Sequence, residues 1–182
     1  MTLTDNTVNF RQPLLLSCLL TAGVYLAYTR IPQLIAFLML FLPFIDAHWK
    51  CTDIKYTTSA LLQWTVPGLL IIILLWMDRS YTAIFLNMLL LTALPEEWFF
   101  RGYLQKQLGN SFKANFAATV LFSLLHLITR GPVVALLVAL PSLAFGYVYS
   151  RQKDIVLVVL LHAVSNMIYI IYLEHSVVAI FS

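Results

Sequence analysis

Apolar residues in this chain gather into long runs, broken only by short polar stretches or by Pro and Gly. A hydrocarbon core of about 30 Å takes roughly 20 residues of helix to cross, with about 17 as a lower limit. Runs of that size fall at 13–29, 32–49, 60–77, 81–105, 114–129, 132–149 and 155–173. They predict an all-α fold, a polytopic transmembrane helical bundle of about seven spans. The connections are too short to hold a separate folded unit, and no internal repeat, low-complexity tract or long linker interrupts the series. The expected organisation is a single integral membrane domain over 1–182.

Composition points the same way. With 61% hydrophobic and 10% charged residues and a mean hydropathy of +0.87, the chain leaves no stretch for a soluble domain. Loop charges suggest an orientation. A cytoplasmic N-terminus puts Arg11, Lys50, Lys55, Lys106, Lys113, Arg151 and Lys153 inside and Arg30, Arg79 and Arg130 outside, the bias that the positive-inside rule expects of a cell-membrane protein. The net charge of +3 is then a matter of topology and gives no reason to expect nucleic acid as a partner; the lipid bilayer is the expected one. The first seven residues carry no Lys or Arg and 22–29 offers no small-x-small cleavage site, so the first span reads as a retained anchor. Cys18 and Cys51 lack the spacing of a metal or redox motif.

Against this background Glu96-Glu97-Trp98-Phe99-Phe100-Arg101 stands out. An ionisable side chain at mid-bilayer depth costs roughly 2.5–3.5 kcal/mol on insertion scales, so three so close together must be paired, wetted or used. Glu97 and Arg101 are i and i+4, about 40° apart on one helix face, with the Glu N-terminal as an ion pair prefers. Glu96 points about 100° away and is left free to face a cavity. Pro95, lacking an N–H, loosens the helix one turn earlier, near the Leu91 carbonyl.

The next span brings Phe122 and His126 onto one face, a turn apart. For a hairpin turning near Asn110, Glu96 lies 14 residues before the turn and His126 lies 16 after it. Both then stand roughly 21–24 Å from the turn, and a histidine level with an unpaired carboxylate is a candidate acid–base partner. The last span carries His162 and Asn166, again i and i+4, with Asn166 about 20 Å along its helix from Lys153 and so near the same level. They read either as part of that site or as hydrogen-bonding glue between helices. His48 and His175 read as interfacial, and Asn87 and Gln63 as glue.

Together and in this order, Glu-Glu-x-x-x-Arg at 96–101, Phe-x-x-x-His at 122–126 and His-x-x-x-Asn at 162–166, with Gly102-Tyr103-Leu104-Gln105 after the first, resemble the motifs of the CAAX protease and bacteriocin-processing family of intramembrane endopeptidases. The resemblance covers about 70 residues, and the flanking spans match only in hydrophobicity. It implies an endopeptidase in which Glu96 and His126 activate a water while His162 and Asn166 bind it or stabilise the oxyanion. Glu97, Arg101 and Phe122 read as structural support of that site, within a catalytic core at about 81–173, and a mechanism without a cofactor is preferred to one with zinc. The substrate that the resemblance implies is a membrane-anchored protein or peptide: a prenylated C-terminal tail, a leader peptide or a C-terminal sorting anchor. Where the family has Gly-x-x-x-Gly on the intervening helix, this chain has Ser142 and Gly146, still small enough for close helix approach but with a different separation expected there.

The chemistry itself asks for the same parts. Amide hydrolysis needs a base beside the attacking water and donors aimed at the developing charge, each worth about 3 kcal/mol in a dry site. Ser123 and Ser165 have no His at a spacing that demands a relay, which argues against a serine nucleophile. Two alternatives stay open. Zinc held by Glu96, His126 and His162 with water in the fourth position would make a metalloprotease, although no His-Glu-x-x-His helix is present and Asn166 is a poor zinc ligand. A non-enzymatic scaffold, an immunity protein or a proton relay would use the same buried polar residues without cutting anything.

Overall fold

The computed structural model describes residues 11–27, 31–49, 81–173 and isolated positions between 65 and 76. Helices α1 (Arg11–Ala27) and α2 (Pro32–Phe41) come first, and α2 runs on into a 3₁₀ turn at Leu42–Ile45. Then follow α3 (Tyr81–Gln105), α4 (Phe112–Arg130), α5 (Pro132–Gln152) and α6 (Ile155–Ile168), the last ending in a π-wound turn at Tyr169–Leu173. No strand occurs among the described residues, and the fold is an all-α membrane bundle. Helices α3, α4 and α5 are long and apolar enough to cross a membrane, while Gln33–Ile45 and Ile155–Ile171 are shorter apolar helices. The span expected at 60–77 lies largely outside the described residues, as do Cys51, Gln63 and His175.

Local chemistry sets the ends of α4, α5 and α6. Ser111 caps α4, its Oγ accepting from the Ala114 N–H at 3.2 Å. Gly131, at φ +86°, ends α4 in a conformation that disfavours a side chain, and Pro132 opens α5 where a missing N–H costs nothing. Lys153 turns left-handed after α5, and buried Asp154 accepts from the Val156 and Leu157 N–H groups at 3.0 and 3.1 Å to start α6.

Helix α3 departs from regular α winding. It is π-wound over Met88–Ala93, α-helical over Leu94–Glu97 and π-wound again over Trp98–Gln105. The effect expected of Pro95 at Leu91 therefore takes the form of a wider turn, with the Leu94 N–H reaching back to the Leu89 carbonyl. Such turns are rare and often mark functional sites.

Helix α3 is also the centre of the bundle, packed on α2, α4 and α6. One apolar cluster joins α1, α2, the later half of α3 and α4 through Leu20, Met39, Phe99, Phe100 and Phe122. A second joins the earlier half of α3 to α5 and α6 through Phe85, Ala93, Tyr149, Val158 and Met167. The two glutamates sit on α3 between them. Small residues let α5 approach: a Cβ on Gly146 would run into the Asn115 side chain of α4 and come within 2.8 Å of Gln105 Oε1. The Gly146 carbonyl accepts from Gln105 Nε2 at 2.9 Å, and Leu143 O accepts from Asn115 Nδ2 at 2.9 Å. Close packing and interhelical hydrogen bonds of this kind are what hold helices together in lipid, where water supplies no hydrophobic drive between them.

Candidate active site

Arg101 is the anchor. It and Glu97 are fully buried, with Nε 3.2 Å from Glu97 Oε2. Its other end crosses to α5, where one terminal nitrogen donates to the Ser142 carbonyl at 2.9 Å and to Ser142 Oγ at 2.8 Å. Ser142 Oγ in turn donates to Thr119 Oγ1 at 3.2 Å on α4, and the guanidinium lies 5.7 Å from the centre of the Phe122 ring. One cation thus ties α3, α4 and α5 together. The hydroxyl of Ser142, read from sequence only as a small residue, is an acceptor that glycine could not offer.

The second oxygen of Glu97 reaches α6. Glu97 Oε1 lies 2.8 Å from His162 Nδ1. A carboxylate paired with arginine only accepts, so Nδ1 carries the proton and Nε2 is turned the other way. There Nε2 lies 3.6 Å from Glu96 Oε2, longer than a hydrogen bond. Phe145 stacks on the His162 ring at 5.5 Å and Phe122 meets it edge-on at 6.1 Å. Phe145 escaped the sequence reading because nothing in the spacing of α5 relates it to α6.

His126 is set by its own helix. Its Nδ1 lies 3.0 Å from the Phe122 carbonyl, which can only accept, so Nδ1 donates and Nε2 is left as a base. The Phe122 ring packs on the imidazole with centroids 4.4 Å apart.

Two cavities meet at these groups. The larger, about 980 Å³, lies among α3, α4, α5 and α6 and is lined by Glu96, His126, His162, Ser165 and Asn166. The smaller, about 320 Å³, lies among α1, α2, α3 and α4 and is lined by Met39, Thr92, Glu96 and His126. Glu96 and His126 border both. Glu96 Oε2 is buried and accepts no hydrogen bond, an arrangement that native structures rarely leave without a purpose.

Other candidates are placed elsewhere. Among the described residues no hydrogen bond joins Ser123 or Ser165 to a histidine, and Ser123 Oγ has no partner. His48 and Asn87 are exposed, as is Cys18. Among the described residues no three His, Cys, Asp or Glu side chains are grouped so as to hold a metal ion.

The sequence matches the family model described as type II CAAX prenyl endopeptidase Rce1-like over residues 78–168, half of the chain. The chain belongs to that family. No curated protein and no solved structure shows significant similarity to it. The Rce1-like match runs from just before α3 to the end of α6 and so takes in all of Glu96, Glu97, Arg101, His126, His162 and Asn166. Membership makes the protein a CAAX-type intramembrane protease in general terms, acting in a membrane on a peptide substrate.

Proposed function

We propose that the protein is an intramembrane endopeptidase that hydrolyses a peptide bond in the tail of a membrane-anchored protein or peptide by means of a glutamate-activated water, without a metal. The observation that carries this reading is the buried Glu96 Oε2, which accepts no hydrogen bond, on a residue that borders two cavities together with His126.

A water held between Glu96 and the free Nε2 of His126 loses a proton to one of them as its oxygen adds to the scissile carbonyl. The developing oxyanion is met by the Asn166 amide and, with both ring nitrogens protonated, by the Nε2–H of His162, whose ring Glu97 and Arg101 hold in place. Collapse of the tetrahedral species breaks the C–N bond, and the proton taken from water passes to the leaving amine. Glu97 and Arg101 act as positioning residues, and Phe145 and Phe122 keep the His162 ring from turning. The cavity among α3, α4, α5 and α6 supports a substrate that brings its own lipid or helix into the bilayer. Among the described residues Lys106, Lys113, Arg151 and Lys153 lie at one end of α3–α6 and Arg130 at the other, which supports an orientation with the lysine-rich end in the cytoplasm.

The test is co-expression in membranes of reporter fusions bearing prenylated, leader or sorting-anchor tails, with wild type and with Glu96→Ala, product masses being read by mass spectrometry. A wild-type product absent from the variant is the expected result. Equal products from both, or none from any tail with the protein shown folded, would discard the endopeptidase and turn attention to a scaffold or relay.

A further inference from the structure

The two cavities share one wall. Thr92 and Glu96, four residues apart on α3, and His126 and Arg130, four residues apart on α4, border both. Beyond that wall the cavities differ. The larger continues along Ile84, Met88, Leu137 and Val138, a surface suited to the apolar part of a substrate, and also holds His162 and Asn166. The smaller, toward α1 and α2, reaches Ala36 and Thr129 and touches none of the α6 groups. Its volume of about 320 Å³ is many times the roughly 30 Å³ that one water takes up in the liquid, and water enters a cavity that offers it polar partners. Thr92, Glu96, His126 and Arg130 offer them, and Arg130, exposed at the end of α4, brings the same cavity to the end of that helix.

We infer that the smaller cavity is the water inlet of the site, carrying hydrolytic water to Glu96 and His126 while the substrate fills the larger one. This rests on the endopeptidase reading above. Each turnover consumes one water: an O–H bond and the peptide C–N bond break, and a C–O bond and an N–H bond form. A peptide seated against Glu96, His162 and Asn166 covers the larger cavity and displaces the water in it. Replenishment then needs a second path to the general base. Glu96 Oε2, buried and accepting no hydrogen bond, belongs to a residue that borders such a path. The competing occupant is a lipid tail lodged against Val24, Ile35 and Met39, which would keep the cavity dry.

The experiment places single cysteines in the full chain carrying Cys18→Ala and Cys51→Ala, in phosphatidylcholine nanodiscs. It times their modification by a charged methanethiosulfonate, which attacks the thiolate and so reports a wetted thiol. Ala36→Cys, in the smaller cavity, should react at least about 10²-fold faster than Leu140→Cys on the lipid-facing side of α5. In a Glu96→Gln background, saturation with the tail peptide cleaved in the co-expression test should block Ser165→Cys in the larger cavity and leave Ala36→Cys unchanged. Filling the inlet with Ala36→Leu should lower kcat by about tenfold or more with KM unchanged. An Ala36→Cys as slow as Leu140→Cys overturns the inference, as does an Ala36→Leu enzyme with wild-type kcat. Protection of Ala36→Cys by the peptide would also overturn it, by making the smaller cavity a substrate pocket. Cleavage with a dry Ala36→Cys refutes the inlet alone, whereas a wet Ala36→Cys without cleavage of any tail refutes the endopeptidase and leaves a water path to Glu96 standing.

Discussion

Glu97→Gln removes one negative charge from a site that has no access to water to replace it. Glu97 and Arg101 are both fully buried, and the same carboxylate serves Arg101 at 3.2 Å and His162 at 2.8 Å. A glutamine offers one acceptor and one donor group, so it can satisfy either neighbour only by pointing its NH₂ at the other, and both neighbours are donors. Breaking a buried pair by removing one partner costs about 3–5 kcal/mol. The two Ser142 acceptors at 2.9 and 2.8 Å stay in place, which puts the expected loss near the lower end, about 3 kcal/mol. For a chain of this size that corresponds to roughly 6–12 °C in Tm. Thermal unfolding in detergent, followed by tryptophan fluorescence, reads it directly. The double variant Glu97→Gln/Arg101→Met removes both charges and should recover at least half of the loss, since the penalty is that of a stranded cation. A Glu97→Gln protein within about 1 kcal/mol of wild type, or a double variant no more stable than the single, would show that charge is not what Glu97 contributes.

Glu96→Gln should behave in the opposite way: its Oε2 accepts no hydrogen bond, so Tm should stay within about 2 °C of wild type, while turnover of a cleaved tail falls by about 10²–10⁴-fold. A stable and active Glu96→Gln would end the general-base assignment. Asn166→Ala, at a half-buried cavity wall, should lower kcat by about 10²–10³-fold with KM little changed, measured on the same substrate. Gly146→Ala should destabilise the fold by about 1–3 kcal/mol in the unfolding assay, because its Cβ collides with Asn115 and crowds Gln105. Incubation with a chelator should leave cleavage unchanged; activity lost to chelation and restored by zinc would replace the glutamate mechanism with a metal-assisted one.

Most of the bundle was legible because its determinants are local. Run length gives the spans, whereas the capping roles of Ser111 and Asp154 came only with the structure. The Glu97–Arg101 pair was legible for the same reason, being four residues apart on one helix. Counting residues from the hairpin near Asn110 put Glu96 and His126 at one level, and in the structure the two border the same cavities. What spacing cannot reveal is a partner on another helix. The i, i+4 argument gave Glu97 to Arg101 and stopped there, while the His162 contact spans 65 positions of sequence. Ser142 was legible as small but not as an acceptor, since only the tertiary approach of Arg101 gives its hydroxyl a role. Arg130 was counted among loop charges because a sequence gives no sign that the last turn of α4 borders a cavity. The winding of α3 was misjudged too, a uniform 3.6-residue period having been applied to a helix that is π-wound on both sides of the glutamates.

That winding gives α3 a residue to spare. A π turn holds one residue more than the α turn it replaces, so deleting lipid-facing Leu90 from Met88–Ala93 would let the segment relax to ordinary α-helix. The turn would still close a full circle, so the stretches on either side would keep their relative facing. Phe85 would stay seated in the apolar cluster with α6, and Glu96 would stay where it is. Relaxation to α winding without the deletion would instead rotate one half of α3 against the other by about 100°. The wide turn thus absorbs a residue that would otherwise put the half fastened to α6 out of phase with the half that carries the glutamates.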